Sequence, residues 1–200
     1  LIFIDMYPDE SNTVAPAVHV EDYQLSQLAY YCINGVKKSV PRRKGRRIVL
    51  YIEKGFEKKK WPVGNFIHLY AILKDKGIGV TLLAQREVAP DIPGSLCIDD
   101  LSDVQTFFSE GGVIVSNDSG IAHLAGISGL ATVTIFGQFD PAVWHPRGPS
   151  VTLRMDGSFP PPDFVASIAS DLVNGDGTEG RPLFRCSSTS LNDRIGLWLS

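Results

Sequence analysis

The sequence contains little cysteine and no long apolar run. Its three cysteines, Cys32, Cys97 and Cys186, are far apart in a chain of 200 residues and show no Cys-x-x-Cys spacing. We therefore expect neither a disulfide framework nor a zinc site. No apolar stretch approaches the roughly 18 residues that a membrane span requires, and no basic segment followed by an apolar one marks a secretion signal. These absences predict a reducing, cytoplasmic setting.

The sequence also has no large excess of positive or negative charge, because its formal net charge is only -3. This balance argues against a nucleic-acid partner. Basic residues are nevertheless concentrated in one short segment, at Lys37, Lys38, Arg42, Arg43, Lys44, Arg46 and Arg47. Such a run is most often a solvated linker. The alternative is attraction to the phosphates of a substrate or of a membrane surface.

The middle of the chain alternates strand-like and helix-like segments. We predict strands at 47–53, 79–84, 95–98, 112–116, 131–136 and 151–153, and helices at 63–76, 101–109, 120–127 and 164–173. Continuous apolar strands separated by helices are typical of a parallel sheet that is covered on both faces. The predicted fold class is therefore α/β, a doubly wound Rossmann-like domain of five or six strands over residues 46–175. Ligands of such domains bind at the carboxyl ends of the strands.

The flanking segments differ from this middle region. Residues 1–45 contain a strand-like piece at 1–4 and a helical stretch at 20–34, and residues 176–200 form a polar tail for which we predict a last helix near 192–199. The chain does not begin with methionine, so we expect further residues upstream.

The segment from Val113 to Gly148 carries the most chemical information. A buried strand is predicted to end at Ser116, and Asp118, Ser119 and Gly120 then form a turn that opens a helix. A helix N-terminus with a capping side chain binds phosphate well. His123 lies one turn into this helix. The simpler interpretation is that Asp118 and Ser119 only cap the helix and that His123 is an interior histidine.

The same segment resembles the signature block of the ADP-heptose:lipopolysaccharide heptosyltransferase family, glycosyltransferase family 9. The matching positions are Asp-Ser-Gly-x-x-His-Leu-Ala (118–125), Thr132-Val133, Phe136-Gly137, Asp140-Pro141, Trp144, Pro146 and Gly148. A second block, Lys59-Lys60-Trp61-Pro62, resembles the Lys-x-Trp-Pro segment of the family. The resemblance runs from about residue 19 to residue 175.

The resemblance implies the C-terminal, donor-binding half of a GT-B glycosyltransferase, with residues 1–45 as a remnant of the acceptor domain and a basic linker. By this resemblance Asp118, Ser119, Gly120 and His123 contact the pyrophosphate and the sugar. Lys59 neutralises the leaving nucleoside diphosphate. The alternative for Lys59 is an exposed lysine in a lysine run.

The sequence departs from the family pattern at several positions. Lys54 and Gly55 stand where the family commonly has hydroxyl residues that touch phosphate, so Lys54 is a further candidate for phosphate contact. Glu87 is the candidate for binding the ribose. An inverting transferase needs a base, and the family places it in the N-terminal domain. Asp5 lies near the wrong end of that domain, so the catalytic base is unknown.

The predicted function is transfer of a sugar, with heptose as the expected one, from a nucleoside diphosphate sugar to a lipopolysaccharide core or another glycan or protein acceptor. We expect no metal and no cofactor besides the donor ADP-heptose or a related nucleotide sugar. The expected location is cytoplasmic, with peripheral contact to the inner membrane. Two alternatives stay open: a non-catalytic nucleotide-sugar-binding module, and another GT-B enzyme such as a sugar-nucleotide epimerase.

Overall fold

A computed structural model describes residues 3–5, 18–54, 60–154, 158–175 and 195–198, the last four as backbone only. The elements in chain order are α1 (Val20–Tyr30), β1 (Arg47–Ile52), α2 (Val63–Asp75), β2 (Gly79–Ala84), α3 (Leu101–Phe108), β3 (Val113–Asn117), α4 (Gly120–Ile127), β4 (Ala131–Phe136), α5 (Pro141–Trp144), β5 (Ser150–Arg154), α6 (Pro162–Asn174) and β6 (Ile195–Trp198).

The strands form one six-stranded sheet in the order β2-β1-β3-β4-β5-β6. Strands β1 to β5 pair in parallel, and β6 pairs with β5 in the antiparallel direction. The chain first builds outward from β1 to β2 and then returns to place β3 on the other side of β1. The strand order therefore reverses between β1 and β3, and open α/β sheets bind ligands at such a switch point.

Helices cover both faces of this sheet. On one face, α2 and α6 pack on β1 through Phe66, Leu69 and Val165. On the other face, α3 and α4 pack on β1 and β3 through Val104, Phe108 and Ala125. Apolar residues on both sides of each inner strand explain the continuous apolar runs of the sequence. The predicted doubly wound α/β class is confirmed.

Two predicted elements are wrong. Residues 95–98 form no strand, since only Leu96 makes an isolated parallel bridge to Leu83. This segment follows a 3-10 turn at Ala89–Asp91 and touches the sheet edge at a single point. The helix predicted near residues 192–199 is also wrong, because residues 195–198 form β6. The open edge of β5 offers unpaired backbone groups to a passing strand, and Gly196 disfavours a helix.

The strand-like piece at residues 1–4 and the rest of the polar tail are covered only in part. Residues 3–5 form no strand, while residues 1–2 and 176–194 lie outside the described residues. Within the part of the chain that is described, no helix combines the length and the apolar character that crossing a bilayer requires.

The basic segment before β1 lies at the amino-terminal edge of the sheet. The Arg42 guanidinium donates to the Leu172 carbonyl. Arg47 donates to the Gly111 carbonyl at 3.2 Å and lies 4.1 Å above the Phe107 ring. These two arginines are half-buried, so the expectation of a solvated linker is wrong for them. They hold the linker against the edge opposite the carboxyl ends of the strands.

A glycine makes a close backbone approach possible at the start of β1. Gly112 has a φ of +115°, and a Cβ atom at this position would lie 2.5 Å from the Arg47 carbonyl oxygen. Any other residue would be strained and would push β1 away from β3. The start of the sheet thus depends on backbone contact as well as on apolar packing.

Candidate functional site

The carboxyl ends of β3 and β4 lie side by side. The two strands pair in register from Val113 opposite Ala131 to Asn117 opposite Ile135. The Asp118 amide then continues the ladder with a 3.0 Å hydrogen bond to the Ile135 carbonyl. Asp118 is therefore held by backbone pairing at the point where the chain leaves the sheet.

Helix α4 begins directly after this point. Ser119 is its N-cap, and the Ser119 hydroxyl accepts from the Ala122 amide at 3.4 Å. Gly120 is exposed, and a Cβ atom there would meet nothing within 4 Å. Within the described residues, the Gly120 and Ile121 amides have no protein acceptor. First-turn amides carry a partial positive charge, so this end of α4 can accept an anion.

Two carboxylates and one ammonium group lie at the neighbouring switch point. Glu53 follows β1, and the Lys60 Nζ atom lies 2.7 Å from its Oε1 atom. Burial and the charge of Glu53 raise the pKa of Asp118 to about 6, while Lys60 acts in the opposite direction. Burial likewise raises the pKa of Glu53, and its contact with Lys60 opposes the rise. The crevice therefore holds three charged groups that interact with each other.

The segment before α2 is fixed to β3 by Trp61. Its backbone amide donates to the Asn117 Oδ1 atom at 2.7 Å, and its indole Nε1–H donates to the Pro160 carbonyl at 2.9 Å. The indole ring meets the Phe66 ring edge-on at 4.7 Å. Trp61 is 2% exposed. Trp61 is therefore part of the hydrophobic core.

His123 lies in a group of three histidines rather than alone. His19, the N-cap of α1, places its Nε2 atom 3.0 Å from the His145 carbonyl oxygen, and the two imidazole rings are 4.3 Å apart. Burial lowers the pKa of His123, and the proximity of His19 lowers it further, while Glu21 opposes both. Burial also lowers the pKa of His145 to about 4. The cluster joins α1, α4 and the end of α5.

Glu87 and Lys54 both lie at the carboxyl edge of the sheet. Glu87 is exposed and lines a cavity of about 290 Å³ together with Tyr51 and Ile121. Lys54 is exposed, and its backbone amide donates to the Gln85 Oε1 atom at 3.0 Å. The structure thus places both candidates beside the switch point. Their roles toward ribose and phosphate stay predictions.

Lys59 lies outside the described residues, as does Gly55, so the role of Lys59 also stays a prediction. Sequence reasoning missed Glu53, Lys60 and Asn117. A charged residue that directly follows a buried strand was a usable signal for Glu53. No sequence signal indicated the Asn117 contact, because it joins two segments that are distant in the chain.

Comparison with known proteins connects this geometry to one family. The family model of glycosyltransferase family 9 (heptosyltransferase) matches residues 23–167, which is more than half of the chain. Among curated proteins no sequence match was found.

Similar solved structures come from bacteria. E. coli heptosyltransferase WaaC with ADP is 18% identical, with a TM-score of 0.58, over 76% of this chain and 56% of that chain. E. coli ADP-heptose lps heptosyltransferase II is 19% identical, with a TM-score of 0.53, over 66% and 48%. A glycosyl transferase family 9 protein from Veillonella parvula is 14% identical, with a TM-score of 0.53, over 66% and 47%.

These structural likenesses establish the fold, and the chain spans about half the length of the proteins it matches. The family model matches through both sequence blocks described above, from the segment before α2 to the loop after α5. The first block forms the exit of β3, and Trp61 of the second block lies before α2 and donates to Asn117 on β3. The chain belongs to glycosyltransferase family 9.

Proposed function

We propose that the chain is the donor-binding half of a glycosyltransferase that transfers a sugar from a nucleoside diphosphate sugar with inversion. The expected donor is ADP-heptose or a related nucleotide sugar, and the expected acceptor is a lipopolysaccharide core or another glycan or protein. By this proposal the acceptor and the catalytic base belong to another domain of the GT-B architecture.

One observation carries this proposal. The N-terminus of α4, with the Asp118-Ser119-Gly120 turn, opens next to the β1/β3 switch point. The turn offers unpaired first-turn amides and open space above Gly120. A diphosphate placed there would be stabilised by hydrogen bonds and by the helix dipole. The family membership supports the same placement.

The proposed roles follow from the positions of the side chains. Asp118 and Ser119 would contact the sugar and the pyrophosphate, and His123 would border the sugar from the first turns of α4. Glu87 would bind the ribose from the exit of β2. A fixed lysine, Lys59 or Lys54, would stabilise the charge that develops when the nucleoside diphosphate leaves. The proposed location of the enzyme is the cytoplasmic face of the inner membrane.

The test is calorimetric titration of the full chain with ADP and, separately, with UDP. We expect weak binding of ADP, because one half of the cleft is supplied by another domain. Absence of binding by either nucleotide at millimolar concentration would overturn the proposed function. Binding of UDP in preference to ADP would leave the transferase proposal in place and would replace the expected donor.

A second experiment separates the two candidate lysines. Lys59→Ala should weaken ADP binding by about 1–3 kcal/mol, which is the range of a charge-assisted contact. The substitution should leave thermal stability nearly unchanged. Removal of the lysine charge should reduce the salt dependence of ADP binding. A larger loss of ADP affinity in Lys54→Ala than in Lys59→Ala would show that Lys54 makes the phosphate contact. Lys44→Ala, in the basic linker, is the matched control and should bind ADP as the wild type does.

A further inference from the structure

Asn117 ends β3 and directly precedes the Asp118-Ser119-Gly120 turn. Side chains alternate between the two faces of a strand, so the side chain of Asn117 follows those of Val113 and Val115 onto the face that α2 and α6 cover. The two valines are apolar, whereas Asn117 carries an amide and is only 3% exposed. This amide needs a partner, because a buried polar group without one is costly.

The partner is the backbone amide of Trp61, which donates to the Asn117 Oδ1 atom at 2.7 Å. A backbone N–H group can only donate, so the oxygen of the side-chain amide must face it. The bond fixes the chain at the point where it enters α2, because Trp61 is followed by Pro62, the N-cap of that helix. It joins two segments that are 56 residues apart in the sequence.

The other polar contacts of this segment lead to different parts of the molecule. The indole Nε1–H of Trp61 donates to the Pro160 carbonyl, which precedes α6. The ammonium group of Lys60 lies 2.7 Å from the Glu53 Oε1 atom, which follows β1. Among the described residues, the Asn117 bond is thus the hydrogen bond that ties the segment before α2 to β3.

The lysines of the second sequence block directly precede this anchor in the sequence. Lys59 comes two positions before Trp61, and two residues of chain span at most about 7 Å. The place where the Trp61 amide is held therefore limits where a lysine of this block can reach. On the other side of the bond, one residue separates Asn117 from Ser119, the N-cap of α4. A single hydrogen bond thus connects the chain that carries a candidate phosphate lysine with the chain that forms the candidate anion site.

We propose that Asn117 is a positioning residue, which holds the lysine-bearing segment before α2 at the distance from the N-terminus of α4 that a bound diphosphate spans. This inference rests on the proposed function, because the diphosphate is the group that both segments would contact. Asn117 itself touches no substrate. It acts through Trp61, so that the lysine charge and the first-turn amides of α4 contact the same ligand. A cation held in place contributes more to binding than a mobile one, because less conformational entropy is lost on binding.

The experiment is a double-mutant cycle on ADP binding by the full chain, measured by calorimetric titration. Asn117→Ala should weaken ADP binding roughly three- to tenfold, because the lysine segment is no longer fixed to β3. In the Lys59→Ala background the same substitution should change the affinity less than about twofold, since the contact that Asn117 positions is already absent. A purely structural role of Asn117 would instead give the same loss of affinity in both backgrounds.

The salt dependence of ADP binding provides a second readout. Salt weakens a contact between a lysine and a phosphate, so loss of the positioned lysine should give Asn117→Ala the same shallow salt dependence as Lys59→Ala. Lower stability alone does not produce this change. The control is Ile168→Val, which opens a small cavity on the buried face of α6. This variant should keep the wild-type affinity and the wild-type salt dependence.

Asn117→Ser replaces Asn117→Ala in the cycle if the alanine variant does not fold. The serine hydroxyl lies one bond closer to the backbone than Oδ1, so it does not reach the Trp61 amide, and the same loss of affinity is expected. Absence of ADP binding by the wild type would overturn the proposed function and this inference with it. Wild-type binding with equal losses in the two backgrounds, or with unchanged affinity of the Asn117 variant, would overturn the positioning role alone.

Discussion

The exits of β3 and β1 lie next to each other but are built differently. The β3 exit uses short side chains and backbone: Ser119 caps α4, and the Asp118 amide pairs with the Ile135 carbonyl. The β1 exit uses long charged side chains, since Glu53 is followed by Lys54 and pairs with Lys60. The β3 exit carries the Asp118-Ser119-Gly120 turn on which the resemblance to the family rests, whereas Lys54 and Gly55 at the β1 exit differ from what that resemblance leads us to expect.

This difference separates two ways of building an anion site. A capped helix N-terminus fixes its donors through the backbone, so its geometry follows from the fold. A charged loop fixes its groups through ion pairs, which are weaker and depend on pH and salt. We therefore expect substitutions at the β3 exit to affect binding and stability together. Charge substitutions at the β1 exit should act mainly on binding.

The largest expected effect comes from Trp61, which anchors the β1 exit. Trp61→Ala should cost roughly 3–5 kcal/mol in the free energy of unfolding, because a large buried ring and its packing are lost. Denaturant unfolding measures the effect. Trp61→Phe is the control, and it should cost less because the ring contact with Phe66 is kept. A cost below about 1 kcal/mol for Trp61→Ala would contradict the core role of Trp61.

The next effect concerns the contact that joins the two exits. Asn117→Ala leaves the buried Trp61 amide without its acceptor and should cost about 1–3 kcal/mol in the free energy of unfolding. Ser116→Ala is the matched control on the same strand. The buried Ser116 hydroxyl has no hydrogen-bond partner among the described residues, so its removal should change stability little. Equal costs for both substitutions would show that the Asn117 bond is unimportant.

A pH-dependent effect is expected at Asp118. Its folded-state pKa of about 6 is raised above the usual value, so its contribution to stability is lost as pH rises through the window between about 4 and 6. An asparagine side chain cannot ionise, so Asp118→Asn should stabilise the domain more at pH 7.5 than at pH 4. Thermal unfolding at both pH values measures this. A greater benefit at pH 4 would contradict the raised pKa.

The smallest expected effect concerns the cap of α4. Ser119→Ala should cost about 0.5–1 kcal/mol in the free energy of unfolding, at the low end for an N-cap, because the hydroxyl accepts over a long 3.4 Å bond. Ser119→Gly should cost only a few tenths of a kcal/mol. Chemical unfolding of both variants provides the comparison. A larger cost for glycine than for alanine would contradict the capping role.

The sequence predicted the elements of the fold better than the contacts between them. Continuous apolar runs predicted β2 and β4, and the turn at Asp118 predicted the start of α4. The assignment of strands from apolar runs failed at residues 95–98. A short apolar run does not show whether the segment pairs with a neighbouring strand over more than one residue.

The candidate site was predictable on the β3 side and only in part on the β1 side. The Asp118-Ser119-Gly120 turn is local, so its sequence is enough to indicate a capped helix. The interaction of Glu53 with Asp118 depends on β1 and β3 being neighbours in the sheet. No local sequence pattern indicates this strand order. The Lys60 contact also depends on how the chain returns after β1, which the lysine run alone does not reveal.

The proposed function depends above all on where the diphosphate binds, which should be the N-terminus of α4 beside the β1/β3 switch point. An amide ¹H–¹⁵N chemical-shift titration of the full chain with ADP locates it residue by residue. We expect the largest shifts on residues 119–122 and on Lys60 and Trp61. Shifts confined to the amino-terminal edge of the sheet, at Gly111 and Gly129, would contradict this placement.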